Sequence, residues 1–232
     1  MALDHALYRL VGDRSSPPTV RIYEWNRPSV SLGRHQRLSG QEFDRLRTGL
    51  GLTIVRRPTG GSGVLHGGDL TISVACPIDA LGIAGQSVLM SHQVIMSAIS
   101  DALADHGHVT RTGSKKAVGI TAHPDCFTEA TRCDLVYQDG LKAAGGAQAR
   151  NRRAMIEQVS IPYQRHPLPP VQVFGEGSAT YDGRLASLSK NGIIQALIMR
   201  LAERLDSVLE PGPWSEGERS AAQSSVDSVE EL

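Results

Sequence analysis

The chain has 232 residues, enough for one sizeable hydrophobic core and no requirement for a second domain. Its 24 Lys and Arg balance 24 Asp and Glu, so no overall field draws it to nucleic acid or to an anionic membrane, and any charge-guided docking has to be local. Three cysteines, Cys76, Cys126 and Cys133, with no C-x-x-C spacing, support neither a disulfide framework nor a tetrahedral metal site. With no leader-peptide pattern and no apolar run of about 20 residues, the expected setting is the cytoplasm.

Leu3, Ala6, Leu7 and Leu10 recur at helical spacing and predict a short amphipathic helix over residues 1–10, broken by the polar and proline-rich residues 13–18. Alternation predicts strands over 19–25 and 28–32, after which Gly33 should turn Arg34, His35 and Gln36 outward. A helix over 41–48, packed by Phe43 and Leu46, precedes a strand over 52–55. Two arginines then lead into the glycine-rich run Pro58-Thr59-Gly60-Gly61-Ser62-Gly63, followed by His66. Glycines let a backbone approach a ligand closely, so this turn can offer bare amides to an acyl carbonyl or a phosphate, although an ordinary turn is the competing reading. Residues 69–76 alternate Leu70, Ile72, Val74 and Cys76 against Thr71, Ser73 and Ala75, which places Cys76 in the core.

Residues 87–106 predict a long helix on Val88, Ser91, Ile95, Ile99, Ala102 and Leu103, stopped by Gly107, with His92 and His106 on its surface. Lys115 and Lys116 read as a solvated loop. Asp139-Gly140 predicts a type I′ hairpin pairing 134–137 with 141–144. A strand over 155–163 ends at Pro162 and the prolines of 167–170. A helix over 191–209, with Ile194, Leu197, Ile198, Leu201, Leu205 and Val208 on one side, is closed by Pro211. The polar residues 211–232 read as a mobile tail beyond a folded unit of residues 1–210.

Two residues stand out for chemistry. Cys126 falls in the loop His123-Pro124-Asp125-Cys126-Phe127, where a thiol is reachable, and reactivity there requires a cation or base beside it. Lys142 lies in a hairpin strand, where an edge lysine that keeps other chains away is the plain reading. Five of its next six residues are Ala or Gly, however, which leaves room beside the ammonium for something other than side chains.

Taken with Met1-Ala2-Leu3-Asp4 and the segment from Trp25 through Ser31-Leu32-Gly33-Arg34-His35-Gln36, these stretches resemble, in order over roughly residues 1–165, the lipoate-protein ligase and octanoyltransferase family. That family carries the lipoyl/biotinyl ligase catalytic domain. The resemblance implies an α+β fold of mixed, largely antiparallel sheets flanked by helices, with residues 1–210 as the catalytic domain. It matches Arg57, Thr59, Gly60, Gly61, His66 and Asp69 to the family's glycine loop. Lys142, Gly145, Gly146, Ala147 and Gln148 fall on its Gly-x-Lys-x-x-Gly-x-Ala-Gln motif, and Cys126 on the nucleophile of the octanoyltransferase branch. The implied reaction carries an octanoyl or lipoyl-type group from acyl carrier protein, through a Cys126 thioester, to a lysine of a lipoyl domain or glycine-cleavage H protein, with no cofactor and no metal. Lys142 would hold the thiolate, amides near Gly146 and Ala147 the oxyanion, and Val64, Leu65 and Leu70 the acyl chain. Ser62, Gly146, Val159 and His5 depart from the family's usual residues. Two alternatives stay open: a ligase that uses ATP to form a lipoyl-adenylate, with Cys126 incidental, and a non-catalytic module that binds lipoyl domains or carrier proteins.

Overall fold

In the computed structural model, which describes residues 1–80, 87–115 and 123–230, the first half of the chain runs α1 (Ala2–Gly12), β1 (Thr19–Tyr23), β2 (Ser29–Leu32), α2 (Gly40–Asp44) continuing into a π-helical turn (Arg45–Gly49), β3 (Thr53–Arg56), β4 (Val64–His66) and β5 (Asp69–Pro77). The second half runs α3 (Val88–Ala104), β6 (Thr110–Thr112), β7 (Asp134–Tyr137), β8 (Lys142–Arg150), β9 (Ala154–Pro162), α4 (Pro170–Phe174), α5 (Lys190–Arg204) and α6 (Glu216–Glu230). An antiparallel sheet is ordered β1-β5-β9-β8-β7-β6, and a smaller mixed sheet β3-β2-β4 lies beside it, which gives the expected α+β architecture. Among the described residues no helix is long and apolar enough to cross a membrane.

The long central strands β5 and β9 are buried almost throughout, and what covers each face explains the rest. Leu70, Ile72, Val74 and Cys76 face α3 and α5 and pack with Ile95, Ile99, Leu103, Ile193, Leu197 and Leu201. On the opposite face Ala75 and Ile156 meet Leu7 and Val11 of α1, and beyond them the strands turn polar: Asp69, Thr71, Ser73, Gln158 and Ser160 are all buried. A strand hidden on both faces is normally apolar throughout, because a buried polar group is tolerated only where it is hydrogen-bonded. The polar half of this sheet face marks the floor of a site. Asp4, at the start of α1, anchors it by taking hydrogen bonds from Arg21, Tyr23, Ser73 and Gln158. Burial raises the Asp4 carboxyl, but Arg21, the N-terminal ammonium and the hydrogen bonds from Tyr23 and Gln158 outweigh it and hold the group below the usual carboxylate range.

Several expectations need correction. The predicted helix over 191–209 ends at Arg204, because Asp206 enters the left-handed region at φ 48°; Pro211 plays no part, and Val208 is 86% exposed. The helix predicted over 41–48 is α2 and its π-helical turn in succession. The Asp139-Gly140 turn is not type I′, since Gly140 has positive φ (86°) and Asp139 does not; the Gly140 amide instead donates to Tyr137 O at 3.0 Å and Asp139 accepts from Leu141 N. The pairing of β7 with β8 then shifts register between Leu135 and Val136, a β-bulge. Lys115 is exposed and forms an ion pair with Glu129 at 3.2 Å; Lys116 lies outside the described residues. Residues 211–232 do not form a mobile tail up to Glu230: α6 lies on α1, with Ala221 and Ala222 against Ala6 and Trp214 against the Leu7 cluster. Ser215 and Glu218 cap its start reciprocally, at 2.7 and 3.1 Å. A stripe of alanines and one tryptophan is enough to seat this helix, and a polar composition conceals it.

His92 is buried, not on the surface of α3. Its Nδ1 is 2.8 Å from Glu157 Oε1 and its Nε2 2.7 Å from Cys133 O. Burial lowers the imidazole pKa, but Glu157 and the carbonyl outweigh it and lift it from 6.5 to about 9. A pKa raised on folding contributes stability that is complete below the unfolded value and is lost as pH rises through the folded one. We therefore expect the melting temperature to fall between about pH 6.5 and 9, by an amount on the order of 3 kcal/mol of stability. Thermal denaturation across that range checks this, and His92→Gln should flatten the fall; an identical slope in the variant would refute the assignment.

Candidate active site

The glycine run is shaped from beneath by Arg57. Its guanidinium donates to Ser31 O, Gly60 O and Ser62 O, each at 2.7 Å, and to Ser31 Oγ at 3.2 Å, so the side chain is a strut inside the loop. Burial brings Arg57 down to about 10, with Cys126 opposing. Thr59 Oγ1 donates to Gln158 Oε1 at 2.8 Å, which ties the loop to the sheet and, through Gln158, to Asp4. Gly61 sits at φ 90°, and its carbonyl lies so close to Gly33 that a Cβ there would come within 1.9 Å. The Ser-Leu-Gly end of β2 is thus dictated by contact with the loop.

The thiol segment is stitched to the same loop by two main-chain hydrogen bonds, Gly63 N to Pro124 O and Cys126 N to Gly63 O, both 2.8 Å. Asp125 holds the turn by accepting from Phe127 N and Ala179 N, and burial pushes its carboxyl up. Cys126, half-buried, then meets Lys142, whose Nζ is 3.5 Å from Sγ, 2.8 Å from Cys126 O and 3.0 Å from Asp134 Oδ1. Burial lowers the Lys142 pKa, but Cys126 and Asp134 outweigh it and raise it, so the ammonium stays charged. Gly145 makes the arrangement possible, because a Cβ there would come within 2.8 Å of Lys142 Cε. The lysine curls back over its own strand into space that any side chain would fill.

A narrow cavity of about 60 Å³ opens between the glycine loop, Cys126 and the polar face of the sheet. On its β4 side, His66 stacks on Trp25 with ring centroids 4.1 Å apart. Its Nε2 is 2.8 Å from Ser31 Oγ and its Nδ1 2.8 Å from Asp69 Oδ2, which also accepts from Thr71 and Ser160. Burial raises the Asp69 carboxyl, but His66 and the hydrogen bonds outweigh it and keep it below the ordinary range. Residues 1–168 match the lipoyl protein ligase A/B catalytic domain. The chain belongs to this family.

Similar members include the octanoyltransferase LipM of Kyrpidia tusciae, 30% identical over 96% of this chain and 88% of that protein. The octanoyltransferase LipM of Geobacillus kaustophilus is 36% identical over 69% of this chain and 59% of that protein, so the matched region spans less than two thirds of the latter. Among solved structures, Ta0514, a putative lipoate protein ligase from T. acidophilum with bound lipoic acid, superposes with a TM-score of 0.76 at 23% identity over 98% of this chain and 88% of that one. A lipoate-protein ligase A bound with ATP superposes at 0.75, again at 23% identity, over 97% and 87%. At these identities the structures share the fold.

Against the lipoyl ligase A/B motifs, the structure brings Arg57, Gly60, Gly61, His66, Cys126, Gly145, Gly146 and Ala147 to the cavity lining. Thr59 and Asp69 stand one layer behind, bonded to Gln158 and His66, and Lys142 stands behind Cys126. Gln148 does not reach the cavity. It lies on the α3 face of β8 and bonds Ser91 and Glu157 at 3.1 and 2.9 Å. The acyl slot expected from Val64, Leu65 and Leu70 also needs correction: Val64 lines the cavity, whereas Leu65 pairs with Val30 and faces the core of the small sheet, and Leu70 faces α3. Sequence reasoning missed Ser31, Thr71, Gln158 and Ser160 as lining residues. Their signal is the polar alternation along β2, β5 and β9, whose other positions are apolar and buried except for Glu157. Among the described residues no group of three or more His, Cys, Asp or Glu could hold a metal.

Proposed function

We propose that the protein transfers an octanoyl group from the thioester of acyl carrier protein to a lysine amine on a lipoyl domain or glycine-cleavage H protein, in the cytoplasm and through a thioester on Cys126. The observation that carries this reading is the thiol at the cavity edge 3.5 Å from a buried, charged ammonium. Octanoyltransferase relatives at 30–36% identity support it.

In the first transfer the Cys126 sulfur, 3.5 Å from the Lys142 ammonium, gives up its proton and attacks the acyl carbonyl carbon. β7 reaches no further than Gly145, and no strand among the described residues pairs with Gly146 or Ala147 on that side; neighbouring amides of a strand face opposite edges, so one of these two is available to donate to the oxyanion. One such donor typically contributes about 3 kcal/mol. The adduct collapses as the donor's carbon–sulfur bond breaks, and the departing sulfur takes the proton that Cys126 gave up. One thioester replaces another at nearly equal free energy, so no ATP is needed. In the second transfer the acceptor nitrogen displaces Cys126 and forms an amide, a downhill step. Met1 and Val64 are apolar residues in the lining, and burial of an acyl chain there would be worth about 0.8 kcal/mol per methylene.

Intact-mass spectrometry after mixing with octanoyl-acyl carrier protein, without ATP, should show one octanoyl group, and peptide mapping should place it on Cys126. Modification that appears only when ATP and a free acid are supplied would overturn the reading in favour of a ligase.

A further inference from the structure

We propose that Ser31, His66 and Asp69 form a proton relay that deprotonates the acceptor lysine in the second transfer, an assignment that rests on the acyl-transfer reading above. Three strands, β2, β4 and β5, each contribute one member, and all three side chains are buried. Ser31 Oγ, His66 Nε2, His66 Nδ1 and Asp69 Oδ2 form a continuous chain with both links at 2.8 Å. Asp69 is an acceptor already taking hydroxyl hydrogens from Thr71 and Ser160. Nδ1 therefore carries the imidazole proton, and the Nε2 lone pair takes the Ser31 hydroxyl hydrogen. Stacking on Trp25 fixes the plane of the ring.

The two acceptor lone pairs of Ser31 Oγ are distinguishable. Arg57 Nη1 donates to the hydroxyl at 3.2 Å, which leaves one lone pair for a group in the cavity, whose lining includes Ser31, His66 and Cys126. The first transfer has no use for this machinery, since Cys126 has Lys142 beside it and exchange between two sulfurs releases no net proton. The second transfer does need a base. A lysine side chain at neutral pH is unprotonated in only about one molecule in a thousand, and the amine must be neutral to attack.

The step balances as follows. The acceptor ammonium gives a proton to Ser31 Oγ as the Ser31 proton passes to His66 Nε2, and the imidazolium is stabilised by Asp69. The neutral nitrogen bonds to the thioester carbonyl carbon, the carbon–sulfur bond to Cys126 breaks, and the remaining extra proton on nitrogen leaves with the sulfur. His66 then releases its proton to solvent. The fixed charge of Arg57 beside Ser31 repels the ammonium and favours its neutral form.

The test uses full-length protein acylated on Cys126 by octanoyl-acyl carrier protein and then freed of donor. Its deacylation is timed with a lipoyl domain and, separately, with hydroxylamine, a nucleophile already unprotonated at neutral pH. In His66→Gln we expect acylation within about threefold of wild type, transfer to the lipoyl domain slowed about 100-fold, and deacylation by hydroxylamine unchanged. Ser31→Ala, which removes a single oxygen and keeps the fold should His66→Gln fail to fold, should show the same split at about tenfold. Equal slowing with both nucleophiles would mean a structural role and overturn the relay, as would wild-type transfer in either variant. Wild-type protein that never acquires an acyl group on Cys126 would instead overturn the acyl-transfer reading, and the relay with it.

Discussion

Cys126→Ala is expected to abolish the octanoyl adduct and to lower transfer to a lipoyl domain by at least about a thousandfold, because the covalent route disappears and direct attack by the acceptor has to replace it. The fold should survive. Cys126 is half-buried, and the hydrogen bonds that hold its segment run through the main chain to Gly63 and through Asp125, none of which uses the sulfur. Circular dichroism and melting should therefore match wild type while single-turnover transfer is lost. A variant that retained transfer within tenfold would leave the thiol without a role, and the cavity would then have to act by binding donor and acceptor together.

The second large effect is expected at Lys142, and it has two parts that different measurements separate. Lys142→Met removes one partner of a buried ion pair and strands Asp134, whose remaining hydrogen bonds come from Thr131 N at 2.7 Å and Thr131 Oγ1 at 2.9 Å. Breaking such a pair typically costs about 3–5 kcal/mol, enough to lower the melting temperature by many degrees. Adding Asp134→Asn removes the stranded charge and should return much of that stability. Acylation of Cys126 should not return with it, because the ammonium that lay 3.5 Å from the sulfur is gone. Stopped-flow acylation of the double variant at wild-type rates would show that Lys142 serves the fold alone.

Much of the architecture was legible from periodicity. The apolar stripe of α3 and the two faces of β5 each need only local alternation, and the structure keeps them; the hairpin around Gly140 keeps the pairing of β7 with β8 but neither its expected turn nor a regular register. The Cys126–Lys142 pairing required the family resemblance, since nothing local announces that residues sixteen apart in the chain will touch. What failed depended on partners remote in the chain. His92 looked solvated because its carboxylate, Glu157, is 65 positions away, and α6 looked unstructured because its seat is α1. Leu65 is expected in the acyl slot from its place beside the glycine loop and Gln148 at the site from its place in the family motif, yet strand parity turns both away from the cavity. Along β4, Val64 and His66 share a face that Leu65 does not, and along β8, Gln148 shares its face with Gly146, above His92, and not with Ala147.

The β-bulge in the β7–β8 hairpin has a consequence for that same parity. By strict alternation Lys142 would lie on the side of Gly146 and Gln148 and drive its charge into the apolar interior beneath α3. One surplus residue, Ala143, inverts the count, so that Lys142 emerges beside Gly145 and faces the sulfur. The encounter of amine and thiol is thus set by an odd number where a regular ladder would have an even one.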